Sequence, residues 1–139
     1  MSYAAGAALQ AAVYRQLRAD PALAGLVGDA IFDAMPVEAP GGTYVALGPD
    51  EARDAGDMTG RGSRHDFIVS VLSGAEGSGG FREVKAVAGA VAEALETSRL
   101  DLERGHLAGL WFLRARALRV ENGAGRRVDL IFRARIDLG

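Results

Sequence analysis

The sequence predicts an α+β fold of two layers, a mainly antiparallel sheet with a long C-terminal hairpin and two principal helices packed on one face. Two observations carry this. In the stretch 109–138, two runs of alternating apolar and polar residues flank a Gly-rich turn, Glu121-Asn122-Gly123-Ala124-Gly125-Arg126. Period-two alternation around such a turn marks a β-hairpin. In segments 2–19 and 81–97, apolar residues recur at helical spacing and form one stripe each.

The chain has 139 residues, which fits a single domain spanning 1–139. It can bury roughly two thirds of its unfolded surface without metal or disulfide support. With no Cys, it has no disulfide framework, thiol nucleophile or Cys-based metal site. The formal net charge is −2, against the basic balance of a dedicated nucleic-acid binder. No basic segment leads into an apolar signal-like run, and no apolar run approaches the roughly 20 residues that span a bilayer. The expectation is a soluble globular protein.

The first helix, 2–19, places Ala5, Leu9, Ala12, Val13 and Leu17 on one stripe, with Ser2 as its cap. Asp20-Pro21 then restarts the chain as a short helix ending near Gly28, since Asp caps and Pro suits a first helical position. A strand is expected at 30–33, loop around Pro36 and Pro40-Gly41-Gly42, and a short strand at 43–47 ended by Gly48-Pro49. Segment 49–63 is charged, Gly-containing and poor in apolar residues, so it reads as a long mobile loop. The next strand, 64–73, alternates His65, Phe67, Val69 and Val71 against Asp66, Ile68, Ser70 and Leu72. Both sets are largely apolar, which places this strand centrally. A linker at 74–80 leads to the helix at 81–97. Its middle carries no charge, and Val87, Ala90 and Ala94 widen its stripe, so it is expected to be covered on more than one side.

A trial hairpin register centred between Gly123 and Ala124 sets Trp111 opposite Ile136, Leu113 opposite Ala134, Ala115 opposite Phe132 and Ala117 opposite Leu130. These would form the apolar face. Phe112, Arg114, Arg116, Ile131, Arg133 and Arg135 would form the other, with Arg114 directly across from Arg133. A bulge near Gly125 would change this register.

No catalytic, cofactor or metal site emerges. His65 and His106 lack metal-ligand spacing. His65 and Asp66 are strand neighbours whose side chains point to opposite faces, so they form no direct dyad. The glycines of 56–62 lack the Gly-Lys-Ser/Thr and following helix of a phosphate loop. Asp50, Glu51, Asp54 and Asp57 lack EF-hand spacing, and Gly77-Ser78-Gly79 is no nucleophile elbow. The arginine face admits three readings: a solvated sheet face, a subunit or partner interface, or a face tracking a nucleic-acid backbone. Without interleaved aromatic residues to stack bases, the third carries least weight.

The order helix, short strand, charged segment, strand, helix and long hairpin, together with particular residues, resembles the tail completion proteins of long-tailed phages. The residues are Tyr3-Ala4-Ala5-Gly6 through Tyr14-Arg15-Gln16-Leu17, Asp20-Pro21-Ala22-Leu23, Leu26-Val27-Gly28, Ile31-Phe32-Asp33 with Pro36, and Tyr44-Val45 with Leu47-Gly48. His65-Asp66-Phe67, Leu110-Trp111-Phe112 and Phe132-Arg133-Ala134-Arg135 complete the set. The resemblance spans essentially the whole chain and is closest to the versions in gene transfer agents, which are phage-like particles. It implies a tail terminator, or head–tail joining protein: a ring, typically a hexamer, that caps the head-proximal end of the tail tube and ends its polymerisation. Implied partners are other copies of the chain, the tail tube protein and a neck protein, with DNA traversing the lumen unread. The implied location is the tail–neck junction of a particle assembled in the bacterial cytoplasm. The resemblance implies no enzyme and brings no catalytic residues. In such a ring the expected contact residues are Arg114, Arg116, Arg133 and Arg135, the carboxylates Asp50, Glu51, Asp54 and Asp57, and the helix positions Val87, Ala90 and Ala94. The alternative is a small binding domain whose arginine-lined sheet face meets nucleic acid or an acidic partner.

Overall fold

The computed structural model describes residues 3–75, 80–97, 99–120 and 125–139. The element order is α1 (Gly6–Ala19), α2 (Pro21–Val27), β1 (Ile31–Phe32), β2 (Tyr44–Asp54), β3 (Gly62–Leu72), α3 (Phe81–Glu96), β4 (His106–Val120) and β5 (Gly125–Asp137). The strands form one five-stranded sheet in the order β1-β2-β3-β5-β4. Among the described residues only the β1–β2 pair is parallel. The expected α+β class, mainly antiparallel sheet and long hairpin are all present.

Helix α1 buries Leu9, Ala12, Val13 and Leu17, the expected stripe, but it begins at Gly6 rather than near Ser2. Ser2 and its proposed cap lie outside the described residues, as do 76–79 of the expected linker and the hairpin centre at Gly123 and Ala124. Helix α2 starts as read: the Asp20 carboxylate accepts from Leu23 N–H at 3.0 Å, and Pro21 takes a first-turn position. Helix α3 buries Val84, Val87, Ala88, Val91, Ala94 and Leu95.

The core lies between these helices and one face of the sheet. Strand β5 alternates strictly: Val128, Leu130, Phe132, Ala134 and Ile136 are buried, while Arg127, Asp129, Ile131, Arg133 and Arg135 take the open face. Phe67, Phe132 and Phe112 stand in register across β3, β5 and β4. Phe132 stacks on Phe67 at 5.5 Å and meets Phe112 edge-on at 5.8 Å. Aromatic pairs at these distances add to the gain from burial.

Segment 49–63 is not a loop. Strand β2 continues through Asp54, and β3 begins at Gly62, leaving 55–61 as the connection. A register shift between Leu47 and Asp50 absorbs Gly48 and Pro49. Pro49 falls within this shift and has no register partner on β3, so its missing N–H interrupts no regular ladder position. Charged residues and this bulge concealed the strand from its sequence pattern.

The trial hairpin register is also corrected. Ala115 pairs with Leu130 and Ala117 with Val128, two residues away from the trial alignment, and an irregularity at Leu113 shifts it further. A two-residue slip preserves the faces, so Ala115 and Ala117 stay on the helix side and Arg114 and Arg116 on the open side. The extra residue at Leu113 reverses the faces beyond it. Trp111 therefore lies on the open face opposite Arg133, and Phe112 on the helix side opposite Phe132. Arg114 faces Ile131, not Arg133.

Gly74, at the end of β3, has φ 83°, and a Cβ there would collide with the Gly42 carbonyl. The neighbouring Ala75 N–H donates to Pro40 O at 2.8 Å, tying the Pro-rich loop to the strand end. Phe132 is fully buried between two rings. Phe132→Ala is therefore expected to lower the unfolding free energy by about 3–5 kcal/mol, measured by urea denaturation.

Candidate functional site

The open face of the sheet is built by alternation, since every second residue of β2, β3, β5 and β4 points away from the helices. Its charges stand in rows across the strands. In one row, Arg53 pairs in register with Arg64 and Arg64 with Arg135. Like charges side by side cost stability. Here Arg53 meets Glu51 at 2.9 Å, and Arg135 donates to the Ala55 carbonyl at 3.0 Å.

The next row runs Glu51, Asp66, Arg133 and Trp111. Arg133 Nε and Nη2 donate to the two carboxylate oxygens of Asp66 at 2.8 and 3.1 Å. This fork geometry suits arginine and carboxylate. These hydrogen bonds hold the Asp66 carboxyl below its ordinary range. The Trp111 indole lies over Gly109, where any Cβ would collide with it. Further along, Asp129 accepts from Ser70 Oγ at 2.7 Å and from Arg127 Nε at 2.8 Å. Arg116 is opposite Asp129, but that carboxylate is already committed.

The expected contact residues thus divide. Arg133 is neutralised within the chain, and Arg135 is tied to the backbone of the 55–61 connection. Arg114 and Arg116 are exposed, with no ion pair among the described residues. Of the carboxylates, Asp50 accepts from Tyr3 OH at 2.7 Å, Glu51 binds Arg53, and Asp54 accepts from Gly56 N–H at 3.3 Å. Asp57 shapes its own turn by accepting from Thr59 N–H, Thr59 OH and Gly60 N–H, which holds its carboxyl below the usual range. Asp50, Glu51 and Asp54 stand on β2, separated from Arg114 and Arg116 on β4 by β3 and β5. The structure does not bring the two sets together within the chain.

The helix positions need correction. Val87 and Ala94 are 0% and 4% exposed, filling the chain's own core, and Ala90 is partly buried against it. The outward surface of α3 instead carries Arg82, Lys85, Ala86, Gly89 and Glu93. The uncharged middle is explained by intramolecular packing against the sheet and the other helices.

Sequence reading missed the pairings Asp66–Arg133, Arg127–Asp129 and Tyr3–Asp50. Arg127 and Asp129 could have been found, because residues two apart on a strand share a face. The other two depend on register and helix placement.

His65 is fully buried on the helix side. Its Nε2 lies 2.8 Å from Ser63 Oγ, its Nδ1 has no partner among the described residues, and the Tyr3 ring lies 6.0 Å away. A serine beside a histidine matches a nucleophilic pair only in outline: no carboxylate orients Nδ1, and both residues are 0% exposed. Burial pushes the imidazole below its ordinary value, opposed by the charges of Asp50 and Asp66. Among the described residues no group of three or more His, Cys, Asp or Glu could hold a metal ion, and no helix is long and apolar enough to cross a membrane.

The described residues thus form a sheet covered by helices on one side, with a charged open face and an exposed edge strand. Residues 11–137 match the family model described as "Tail completion protein gp17", and the chain belongs to that family. It is also similar to a solved chain from the "Virion of native gene transfer agent (GTA) particle", at 55% sequence identity and a TM-score of 0.89, covering 98% of this chain and 99% of that one. No curated protein matches the sequence. The resemblance read from the sequence is thereby established.

Both buried and paired groups make stability depend on pH. The native imidazole of His65 titrates below its unfolded value of 6.5, so its stabilising contribution is complete above pH 6.5 and is lost as pH falls through the native value. His65→Gln should flatten this part of the stability–pH curve, followed by chemical denaturation. Asp66 behaves likewise lower down: its contribution is present above pH 3.8 and lost as acid protonates it in the fold. Arg133→Met should remove that acid limb while leaving the His65 limb in place.

Proposed function

We propose that this chain is a structural subunit of a phage-like particle that caps the head-proximal end of the tail tube as a ring, ends tube polymerisation and joins the tail to the neck. Membership of the tail completion family, with near-complete coverage of a gene transfer agent virion chain at 55% identity, is the observation that carries this reading. The proposed ring is a hexamer. Its partners are further copies of the chain, the tail tube protein and a neck protein. DNA passes through the lumen without base recognition, and the subunits assemble in the bacterial cytoplasm before residing at the tail–neck junction.

The geometry supports a contact role over catalysis. Arg114 and Arg116 are exposed and unpaired among the described residues, on the strand at the edge of the sheet. Arginine on such a surface forms directional pairs with carboxylates. The alternative, nucleic-acid binding by the same face, draws less support because Arg53, Arg127 and Arg133 already meet carboxylates.

Particles from cells lacking this chain should carry tails of unregulated length or tails detached from heads, scored by electron microscopy. Normal joined tails would count against the proposal. Arg114→Glu with Arg116→Glu should reduce joined particles while leaving the melting temperature of the isolated chain within about 2 °C, since exposed charges contribute little to folding. Arg133→Glu is expected to act differently, lowering the melting temperature by setting two carboxylates together.

A further inference from the structure

We propose, on the basis of the ring reading, that neighbouring subunits join edge to edge. The exposed part of β4 in one copy adds, antiparallel, to the free half of β2 in the next, continuing one sheet around the ring.

The two edges of the sheet are both open. Strand β4 is the terminal strand on one side, and it is long, 15 residues. From Trp111 to Ala117 every residue is exposed on both faces, including Trp111 at 49%, Phe112 at 38% and Leu113 at 41%. A long apolar edge with unpaired backbone groups invites another strand, and proteins ordinarily blunt or cover it. At the other side, β1 covers only Val45 and Ala46, so the outer edge of β2 carries no strand from Gly48 to Asp54.

The edges are complementary in charge. β4 carries Arg114, Arg116 and Arg119 and no acidic residue. The free half of β2 carries Asp50, Glu51 and Asp54 against the single cation Arg53. Within one copy these sets cannot meet, because three strand spacings, roughly 14 Å, separate them. Between copies Arg114 and Arg116 can meet Glu51, which shares their open face.

Strand direction agrees. Each neighbour is antiparallel from β2 to β3, β3 to β5 and β5 to β4, so β2 and β4 run in opposite directions. Placing β2 of the next copy beside β4, with helices on the same side, makes another antiparallel pair. The contact joins two different edges, so it is head-to-tail, the kind that closes into rings. An unstaggered continuation would set Glu51 beside Trp111. A stagger of a few residues brings Arg114 and Arg116 towards Glu51, and closing a sheet of tilted strands requires such a stagger. Closure would leave neither edge exposed.

The native sequence has no Cys, so introduced thiols would be unique. Ala52→Cys combined with Ala115→Cys places one thiol on each edge, both on the helix side. In purified particles, a short bis-maleimide should give a ladder of covalent multimers that neither single variant yields. Joined particles that contain the chain as a ring but give no ladder would overturn edge pairing and leave the ring reading intact. Particles whose joined tails hold only single copies would overturn the ring reading itself. A charge exchange guards against a misfolded cysteine variant. Arg114→Glu with Arg116→Glu should reduce joined particles on the order of tenfold, and adding Glu51→Arg should restore part of that loss. Failure of the exchange to restore assembly in a chain that still melts cooperatively would overturn the pairing.

Discussion

The row of rings from Phe67 through Phe132 to Phe112 ties three strands to one another and to the helix layer. Phe132 is the pivot because β5 lies between β3 and β4. Sliding β5 by one residue would bring Arg133 into the core and expel Phe132, at a cost no local rearrangement could offset. The alternation of β5 thus settles the register of the sheet. It also settles which arginines emerge on the open face.

That constraint divides the arginines into two groups. On the inner strands Arg133 pairs with Asp66 across the ladder, Arg127 with Asp129 along its own strand, and Arg135 donates to the Ala55 carbonyl. Those on β4 have a neighbour on one side only. Arg114 meets an isoleucine, and Arg116 meets a carboxylate already occupied. Uncompensated charge accumulates at the edge because the sheet ends there. The arginine face is therefore mixed, with Arg127 and Arg133 paired to carboxylates and Arg114 and Arg116 without an ion pair among the described residues.

The fold gives its polar groups structural settings. Its close serine–histidine contact is sealed inside, and the histidine contributes to stability through its neutral form. Membership of the tail completion family agrees with a fold that concentrates its chemistry in surfaces rather than in a cleft.

Much of the fold was legible because its signals are local. Asp20-Pro21 announces α2, the stripes of α1 and α3 recur at helical spacing, and the alternation around 121–126 declares a hairpin. The faces of β3 were readable from period two alone. Other features were hidden because they depend on residues distant in the chain. The second half of β2 is charged and broken by Gly48-Pro49, and only pairing with β3 makes it a strand. The extra residue at Leu113 moves Trp111 and Phe112 to opposite faces from those expected, and a bulge has no firm sequence signal. Val87 and Ala94 fill the chain's own core rather than a ring contact, a distinction that helix stripe width alone cannot make. The sequence by itself determined the class of fold, the helices and the identity of the family, because periodicity, caps and motif order are carried by neighbouring residues. Only the tertiary structure decided which charges were paired and which edges stayed open, because both depend on strand register and strand order.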